Sequence, residues 1–485
     1  MRTDLAVIGA GPAGLAAALA AAARGVRVAL VDAAPAAGGQ FYRRPAPGLG
    51  ARRPEALHHQ WRTWERLRAG LEDLADDGLV IRLPDRHVWS VERRPEGGFT
   101  VHALLGPLQE EATALHADAV LLATGGYERV LPFPGWTLPG VVTAGGAQAM
   151  LKGGLVLPGR TVVVAGTGPL LLPVATGLAA AGARVAALVE SADPRDFLRY
   201  GRALAAKAPE AAGYAAGLLR HRVPFLARHT VVAAHGAERV EAVTVVPLAG
   251  GAARRIRCDA LAVSHGMLPH TDLAEALGCR LDGLVVAVDD EQGTDVPGVW
   301  AAGESTGVGG AALALAEGHV AGRSIAARLA GRDPDPGGWS AAAKARARMR
   351  RFAEVLDRVY VPDPHWPDRV TDPTVLCRCE EVTAGTVREA VDALGARDLR
   401  TVKLLTRAGM GWCQGRMCAP GVAGVAGCAL TPGRRSLARP VPLGVLAGPG
   451  PAAEEPPATA PAPTDDPARA HPRTDTRTAT HRRNP

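Results

Sequence analysis

The sequence of 485 residues has few aromatic residues, no long uninterrupted apolar run and no strong excess of one charge. A membrane-spanning helix needs about 18 or more consecutive apolar residues, so we expect no membrane span. Lys and Arg number 55 against 48 Asp and Glu, and this dispersed surplus of +7 does not predict nucleic-acid binding. Aromatic residues make up 4% of the chain, which leaves few surfaces for stacking bases. We therefore expect a cytoplasmic protein with no nucleic-acid partner.

Cysteine is absent from the first 257 residues, and five of the seven cysteines fall within Cys377–Cys428. Clustered cysteines in a chain expected to be cytoplasmic indicate metal or cluster binding rather than a disulfide framework. Cys258 and Cys279 are isolated in the sequence, and Cys428 is expected in an Ala- and Val-rich helix. We expect all three to be packed rather than reactive.

The N-terminal segment has the pattern of a dinucleotide-binding βαβ unit. An apolar strand precedes Gly9-Ala10-Gly11-Pro12-Ala13-Gly14, an Ala-rich helix follows, and the next strand ends in Asp32. Gly9 permits the tight turn, Gly11 lets the backbone approach a pyrophosphate, and Gly14 lets helix and strand pack closely. The helix N-terminus favours phosphate, and Asp32 can accept hydrogen bonds from a ribose. The pattern predicts a dinucleotide site, although a glycine-rich turn in a generic α/β domain is the plainer alternative.

A later stretch indicates that this dinucleotide is FAD. Thr294 is followed by Ala301-Ala302-Gly303-Glu304, where a carboxylate after a strand can bind a ribityl chain. The next helix would then point its N-terminus at a phosphate. This stretch is close to the second flavin motif of flavoproteins with two dinucleotide domains, which normally ends in Asp rather than Glu. Ala123-Thr124-Gly125 matches the connecting stretch that is usual in that superfamily.

A second strand–glycine–helix unit departs from the dinucleotide pattern. Its turn reads Gly166-Thr167-Gly168-Pro169-Leu170-Leu171, so leucine stands at the third glycine position, where we expect it to crowd helix against strand. Glu190 ends the following strand and would repel a 2′-phosphate, which disfavours NADP. NAD binding and a domain kept for structure or for another adenine nucleotide both remain open.

The cysteine block consists of Cys377-Arg378-Cys379 and, 33 residues later, Cys413-x4-Cys418. Four thiolates in two close pairs can ligate a [2Fe–2S] cluster. Zinc is the rival, but structural zinc sites favour two to four residues between paired cysteines, and Cys-x-Cys fits them poorly. The spacing therefore favours the cluster. The nearby positive charges would favour its reduction, unless they are merely solvated: Arg378, Lys403, Arg407 and Arg416.

The flavin half has no redox cysteine pair, and none of its histidines is assigned as a catalytic base. A disulfide reductase of this architecture needs a redox cysteine pair beside the flavin, and no cysteine precedes Cys258. This excludes thioredoxin-reductase and glutathione-reductase chemistry. His265, His270 and His319 are more often surface or satisfied histidines than bases, so we assign no catalytic residue.

The order of these segments predicts an α/β flavoprotein in which a Rossmann-like FAD domain carries an inserted NAD-type domain. Residues 447–485 lack Val, Ile, Leu, Met and aromatic side chains, and we expect the tail to be disordered. The predicted regions are the FAD-binding domain (1–137 and 259–330), the inserted nucleotide domain (138–258), a linker with one helix (331–370), a [2Fe–2S] domain (371–445) and the tail (446–485).

The sequence resembles the FAD- and [2Fe–2S]-binding α subunits of heteromeric amine and amino-acid dehydrogenases, over about residues 1–445. That family includes the opine oxidase A subunit, the hydrogen cyanide synthase B subunit and the α subunits of hydroxyproline and proline dehydrogenases. The last of the stretches that carry the resemblance is also similar to the bacterioferritin-associated-ferredoxin type of domain. The stretches are Gly38-Gly39-Gln40, Ala123-Thr124-Gly125, 131–141, 166–171, Cys377-Arg378-Cys379-Glu380-Glu381-Val382 and 409–418.

The resemblance implies cofactors and partners. It implies FAD and a [2Fe–2S] cluster, and it leaves room for a second adenine nucleotide and for FMN at a partner interface. The implied partners are a D-amino-acid-oxidase-like flavoprotein subunit that oxidises the substrate, an electron acceptor and a small ferredoxin-like subunit. The cluster ligands would be Cys377, Cys379, Cys413 and Cys418, and the residues matching the flavin site are Gly9, Gly11, Pro12, Ala13, Gly14, Asp32, Gly39, Gln40, Val88, Ala123, Thr124, Gly125, Gly303 and Glu304.

Three functions are compatible with these patterns. The first is an electron-transfer subunit of a heteromeric amino-acid or opine dehydrogenase. The second is a stand-alone NADH-dependent flavin and iron–sulfur reductase, against which Leu171 argues. The third is an assembly subunit whose flavin is inert.

Overall fold

The computed structural model describes residues 1–201, 207–433 and 435–447. Met1–Pro442 form one compact unit, and a second unit begins at Leu443. The expected disordered tail, 446–485, lies outside the described residues except for its first two, which end a short helix. The helices are α1 (Pro12–Ala22), α2 (Trp61–Asp76), α3 (Ala144–Gly154), α4 (Leu171–Ala180), α5 (Ala208–Arg220), α6 (Asp272–Ala276), α7 (Ala311–Leu329), α8 (Ser340–Val359), α9 (Ala384–Asp392), α10 (Leu399–Thr406), α11 (Ala419–Val425) and α12 (Leu443–Ala447).

The strands are short and apolar where they are central, as expected for sheets covered on both faces. They are β1 (Arg2–Ile8), β2 (Val28–Val31), β3 (Val80–Leu83), β4 (Arg86–Arg93), β5 (Phe99–Leu105), β6 (Glu111–Leu122), β7 (Gly126–Glu128), β8 (Val141–Thr143), β9 (Thr161–Thr167), β10 (Arg184–Glu190), β11 (Phe225–Ala227), β12 (His229–His235), β13 (Ala242–Pro247), β14 (Arg254–Arg257), β15 (Ala260–His265), β16 (Met267–Pro269), β17 (Leu281–Asp282), β18 (Val285–Val286), β19 (Val299–Ala301), β20 (Val375–Cys377) and β21 (Val382–Thr383).

The first sheet has the strand order β3-β2-β1-β6-β5-β4, and β19 also pairs with β6. Strands β1, β2, β3, β6 and β19 pair in parallel, whereas β4 and β5 form an antiparallel meander with the first half of β6. Because β6 is long, its C-terminal half joins the parallel sheet while its N-terminal half joins the meander. The carboxyl ends of β1, β6 and β19 therefore meet at one edge, where a dinucleotide binds in folds of this kind.

Helices α1 and α7 cover one face of this sheet and touch each other closely. A β-carbon built on Gly318 would lie 2.0 Å from the carbonyl oxygen of Ala13, and one on Gly322 would lie 2.3 Å from that of Ala17. Only small residues permit this approach, which accounts for the Ala- and Gly-rich sequences of both helices. The apolar core beneath them includes Leu5, Val7, Leu15, Leu30, Leu121 and Ile325.

The second sheet is wholly parallel, with the strand order β11-β10-β9-β15-β8. An antiparallel sheet of β12, β13 and β14 packs over one face, and α3 and α4 cover the other. Strands β7 and β16 form an antiparallel pair, one on each of the two connections between the sheets. The chain thus leaves the first sheet after β6, passing through β7, and comes back towards it through β16, as an inserted domain does.

The cysteine segment forms a small layer of α9, α10 and α11 beside the hairpin of β20 and β21. Its apolar core contains Leu376, Val387, Val402 and Val422, together with Cys377 and Cys418. Two ligand candidates therefore lie inside the core of this segment. No helix in the described part of the chain is long and apolar enough to span a bilayer.

Candidate functional site

The turn after β1 is shaped by three glycines with different constraints. Gly9 has a φ of +109°, and a β-carbon there would lie 2.2 Å from the carbonyl oxygen of Ala123. Gly14 faces the carbonyl of Gly9 at a similarly short distance, so a side chain at either position would push α1 off the sheet. Gly11 has a φ of −74° and open space where its β-carbon would be. The turn is therefore closed on the sheet side and open on the side of Gly11.

Asp32 ties this turn to the end of β2. Its carboxylate accepts hydrogen bonds from the backbone N–H groups of Ala10 and, at 2.7 Å, Ala34. Burial raises the pKa of Asp32, and the two backbone donors oppose that rise. A carboxylate has about four acceptor positions, so lone pairs remain for the hydroxyls of a ribose. The side chain is half-buried, which leaves that ribose position accessible.

Residues that are distant in the sequence converge on this turn. A β-carbon on Gly39 would lie 2.8 Å from the α-carbon of Gly11, and one on Gly303 would lie 2.8 Å from the β-carbon of Ala13. Ala123 contacts Gly9 from the end of β6. The structure thus brings together Gly9, Gly11, Ala13, Gly14, Asp32, Gly39, Ala123 and Gly303.

The other predicted flavin residues lie around this centre. Thr124 donates a hydrogen bond of 2.6 Å from its hydroxyl to the carbonyl of His270, and Gly125 accepts one from the His270 N–H. Gln40 is exposed and accepts a hydrogen bond from Arg43. Pro12 is the first residue of α1, where proline is favoured. Val88 lies on β4 and packs against the core on the face of the sheet opposite α1, so its role in the site stays a prediction.

Glu304 lies in the turn that follows β19, close to Gly126. Burial raises the pKa of its carboxyl group, and the backbone N–H of Gly310 opposes that rise. A half-buried carboxylate after the end of a strand is where a flavin motif places its acidic residue. Glutamate can therefore occupy the position at which the motif normally carries aspartate.

Sequence reasoning missed Glu317 and Arg350. Glu317 on α7 has no exposed surface, accepts a 2.9 Å hydrogen bond from the Gly303 N–H and forms an ion pair with Arg350 on α8. Thr306 donates to the same carboxylate and accepts from Arg350. This network fixes the turn that carries Gly303 and Glu304. The only sequence signal was a Glu and an Arg in otherwise ordinary helices.

The described residues fit FAD. The space over Gly11 admits a pyrophosphate, and the N-terminus of α1, which has no side-chain cap, faces it. Asp32 and Glu304 supply acceptors at the two ends expected for a ribose and a ribityl chain.

The second glycine turn differs in shape from the first. Helix α4 begins at Leu171, whereas α1 begins at Pro12, directly after its second glycine. Leu171 is 1% exposed and packs with residues of α3 and β9 such as Leu151 and Val164. The expectation that Leu171 crowds helix against strand is therefore wrong, because the later helix start moves its side chain into the core.

Glu190 at this second turn is enclosed. It is 5% exposed, and its two oxygens accept hydrogen bonds from the N–H groups of Gly168 (3.2 Å) and Ala192 (3.0 Å). Burial raises its pKa to about 7 against these bonds. Tyr360, which follows α8, lies close enough for the charge of Glu190 to add to the rise that burial gives its own pKa. Glu190 is thus less available to a ribose than the half-buried Asp32.

The four predicted cluster cysteines meet as two pairs. The thiol of Cys379 contacts that of Cys413, and the thiol of Cys418 contacts that of Cys377. The two pairs are also close enough to each other for their charges to interact. Cys377 and Cys418 are buried, Cys379 is exposed and Cys413 is intermediate. One pair therefore lies in the core and the other reaches the surface.

This arrangement fits a binuclear cluster. Each iron of a [2Fe–2S] cluster takes two protein thiolates, as two thiol pairs would supply. Within the described residues, no group of three or more His, Cys, Asp or Glu side chains is placed to hold a single metal ion. Cys428 was expected in a helix, but it lies three residues beyond the end of α11, where its backbone N–H closes the helix by bonding Ala423.

Contacts at Trp136 and at Asp272 join the cysteine segment to the flavoprotein body. The indole nitrogen of Trp136 donates a 2.6 Å hydrogen bond to the carbonyl of Val375, and the guanidinium of Arg378 lies 4.9 Å from a Trp136 ring centre. Arg416, between two ligand cysteines, bonds the carboxylate of Asp272 at the start of α6. Arg378 and Arg416 were expected near the cluster, but these partners were not predicted.

Comparison with known proteins agrees with this geometry. The pyridine nucleotide-disulphide oxidoreductase family matches residues 3–323, and the BFD-like [2Fe-2S] binding domain matches residues 375–425. The opine oxidase A subunit of Rhizobium meliloti is 32% identical over 457 residues, which cover 86% of this chain and 80% of that protein. Hydrogen cyanide synthase subunit HcnB of Pseudomonas aeruginosa is 34% identical over 438 residues, covering 85% and 90%.

A solved structure supports the fold. The L-proline dehydrogenase from P. horikoshii superposes with a TM-score of 0.65 at 22% identity, covering 92% of this chain and 79% of that one. These matches confirm the predicted fold class, FAD and the [2Fe–2S] cluster, whereas a second nucleotide and FMN stay predictions. The chain belongs to the pyridine nucleotide-disulphide oxidoreductase family, as a flavoprotein oxidoreductase with a BFD-like [2Fe–2S] domain in the group of the opine oxidase A subunit and hydrogen cyanide synthase subunit HcnB.

Proposed function

We propose that this chain is the electron-transfer subunit of a heteromeric amine or amino-acid dehydrogenase. A D-amino-acid-oxidase-like flavoprotein subunit would oxidise the CH–NH bond of the substrate, and this chain would pass the electrons to an acceptor. The observation that carries the proposal is that one compact unit contains both the glycine turn after β1, which fits FAD, and the two thiol pairs. Bound FAD takes electrons in pairs and a [2Fe–2S] cluster passes them one at a time, and this is the chemistry that the two groups supply.

The residues of the chain would hold these groups rather than act on a substrate. Gly9, Gly11 and Gly14 shape the phosphate turn, and Asp32 and Glu304 hold the sugar portions. The four cysteines hold the cluster, with the pair of Cys379 and Cys413 nearer to the surface. No cysteine precedes Cys258, so no disulfide beside the flavin can accept its electrons. The cluster is then the electron acceptor that this chain would itself provide.

The names of the relatives support a partner. The opine oxidase A subunit and hydrogen cyanide synthase subunit HcnB are, by their names, components of larger enzymes. We extend this to the present chain and infer a substrate of the opine, proline, hydroxyproline or glycine type. FMN at the partner interface and a small ferredoxin-like subunit belong to the same proposal, as does a cytoplasmic location.

A stand-alone NADH-dependent reductase is the second candidate, because the second glycine turn keeps Gly166, Gly168 and Glu190. Leu171 no longer argues against it, since that side chain is accommodated in the core. Glu190 does argue against it. Both carboxylate oxygens are used by backbone N–H groups and the residue is almost fully buried, so a nicotinamide ribose would have to displace those bonds.

The test is anaerobic stopped-flow spectroscopy on two preparations. The chain alone is mixed with NADH and with a panel of opines, proline, hydroxyproline and glycine, and the same panel is given to the complex that copurifies with a tagged chain. We expect no flavin reduction in the chain alone, and bleaching of its flavin and then its cluster in the complex. Flavin reduction by NADH in the chain alone at about 10 per second would favour the reductase. A complex that turns over while both groups stay oxidised would favour an assembly role.

A further inference from the structure

Asp272 is a buried carboxylate held by three cationic or polar partners. It is 7% exposed, and it receives hydrogen bonds from Arg416 Nε at 2.9 Å and Arg435 Nη1 at 2.6 Å. His270 Nε2 lies 3.1 Å from the same carboxylate. Burial opposes ionisation, but His270 and the two guanidinium charges lower the pKa of Asp272 to about 2. The carboxylate is therefore a fixed negative charge at neutral pH.

On one side this carboxylate holds the loop between two cluster ligands. Arg416 also donates to the carbonyl of Cys413 at 3.2 Å and to that of Ala438, and Arg435 donates to the carbonyl of Gln414. Both arginines thus span from Asp272 to the backbone of the ligand loop. Removing the carboxylate would leave two partly buried guanidinium groups without the counter-ion that they share, which is unfavourable where solvent is largely excluded.

On the other side the same carboxylate is tied to the flavin motif. The backbone N–H of His270 donates to the carbonyl of Gly125 at 2.9 Å, and the hydroxyl of Thr124 donates to the carbonyl of His270 at 2.6 Å. Thr124 and Gly125 belong to the connecting stretch of the flavin domain. A continuous chain of hydrogen bonds therefore runs from this stretch through His270, Asp272 and Arg416 to Cys413.

The Asp272 network and the Trp136 contact hold different parts of the cysteine segment. The cysteine segment is already attached through Trp136 and Val375, near the Cys377 side of its core. The Asp272 network instead grips the ligand loop that contains Cys413, whose thiol pairs with the exposed Cys379. Two partly buried cations, Arg416 and Arg435, add positive charge beside that loop, and net charge is one of the factors that set a cluster's potential.

We propose that Asp272, with Arg416 and Arg435, is a positioning residue that fixes the Cys413 loop relative to the Thr124–Gly125 stretch and so sets the rate of electron passage from flavin to cluster. This rests on the proposed electron-transfer function. The electron that the cluster gains is the one that the flavin loses, and the flavin's proton passes to solvent, so the step needs no further reactant.

The experiment compares the full chain with Asp272→Asn and Arg416→Gln variants, each loaded with both groups. Flash photoreduction of the flavin, with EDTA as the sacrificial electron donor, is followed by absorbance, and the cluster midpoint potential is measured by redox titration. Because the flavin is reduced by light, the result does not depend on an amine substrate, on NADH or on a partner. Failure of the electron-transfer proposal and failure of this one are thus distinguishable.

We expect transfer to slow several-fold in both variants, because the Cys413 loop loses the contact that holds it in place relative to the Thr124–Gly125 stretch. The cluster potential should move in opposite directions, upward in Asp272→Asn, which loses a negative charge, and downward in Arg416→Gln, which loses a positive one. General loosening of the fold would not produce opposite shifts. The double variant should slow transfer by less than the product of the two single effects, because both changes remove the same bond between Asp272 and Arg416.

Arg388→Gln is the matched control. It breaks an ion pair with Asp372 inside the cysteine segment, which does not reach the flavin motif, and its transfer rate should stay within about twofold of the parent. If Asp272→Asn loses its cluster, Arg435→Gln, which leaves Asp272 bonded to Arg416, carries the same measurements. Equal transfer rates and potentials in parent and variants would overturn the proposal, as would equal slowing in Arg388→Gln.

Discussion

The α1 residue Gly14 lies against the carbonyl oxygen of Gly9, so closely that a β-carbon on Gly14 would stand 1.8 Å from that oxygen. The carbonyl of Gly9 has little room to shift, since Gly9 is itself packed against the carbonyl of Ala123. At Gly11, two residues from Gly9, a β-carbon would have no other atom within 4 Å, and the backbone φ is negative. The fold therefore requires glycine at position 14, whereas at position 11 the fold leaves room for a side chain, and we expect the bound dinucleotide to require glycine there.

Alanine substitution should separate these two requirements. Gly14→Ala should lower the unfolding free energy by about 1–3 kcal/mol through overpacking and should be seen as a fall in melting temperature. Gly11→Ala should keep the parent melting temperature of the apoprotein but bind FAD at least about tenfold more weakly, because the methyl group occupies the pyrophosphate approach. Flavin retained on ultrafiltration measures the second effect. Full FAD retention by Gly11→Ala would contradict the placement of the pyrophosphate there.

We expect four of the seven cysteines to be cluster ligands and the other three to be bystanders. Cys418→Ser or Cys413→Ser should lose the cluster, whereas FAD should remain, since its site is built from other segments. The parent should contain about two iron and two labile sulfide per chain, and the variants little of either. Cys428→Ser is the control with an unchanged iron content, because Cys428 lies outside the two thiol pairs. Stoichiometric zinc without sulfide in the parent would contradict the cluster assignment.

The indole of Trp136 anchors the hairpin that carries Cys377. Trp136→Phe removes its hydrogen bond to the Val375 carbonyl and should cost about 1 kcal/mol locally. We expect amide hydrogen exchange in residues 371–383 to become about fivefold faster, as that free energy implies. Trp300→Phe is the matched control. Trp300 is also buried, but its indole nitrogen has no hydrogen-bond partner among the described residues, so the hairpin should exchange as in the parent.

Local patterns made much of the flavin and cluster sites predictable. Gly9, Gly14 and Asp32 lie within one βαβ unit, where spacing alone fixes their geometry, and the four cysteines stand out by their absence elsewhere. The helix expected after the Glu304 stretch is present as α7, Ala311–Leu329, because an apolar strand and a glycine turn precede it.

Contacts between distant segments were not predictable. Asp272 and Arg416 are 144 positions apart, and nothing near either residue specifies the other. Glu317 meets Gly303 only because α7 folds back on the end of β19. At Leu171 the error lay in the motif rule, which predicted that a large side chain would crowd helix against strand. Helix α4 starts two residues later in its motif than α1, and the leucine side chain is accommodated. In each case tertiary packing decided what the sequence pattern left open.

Glu190 should make stability depend on pH in a specific window. Its pKa is raised by burial to about 7 in the folded chain, against 4.5 for the free side chain, so the folded state binds more protons between those values. The stability it contributes is present below about pH 4.5 and is lost as the pH rises to about 7, by roughly 3 kcal/mol. Glu190→Gln cannot titrate, so its melting temperature relative to the parent should rise between pH 5 and pH 8.

Glu238→Gln, which removes an exposed carboxylate of the same domain, is the control, and its melting temperature should differ from that of the parent by the same amount at both pH values. A constant difference for Glu190→Gln as well would show that Glu190 is ionised in the folded chain at pH 5, and would reopen it as a ribose acceptor for NADH.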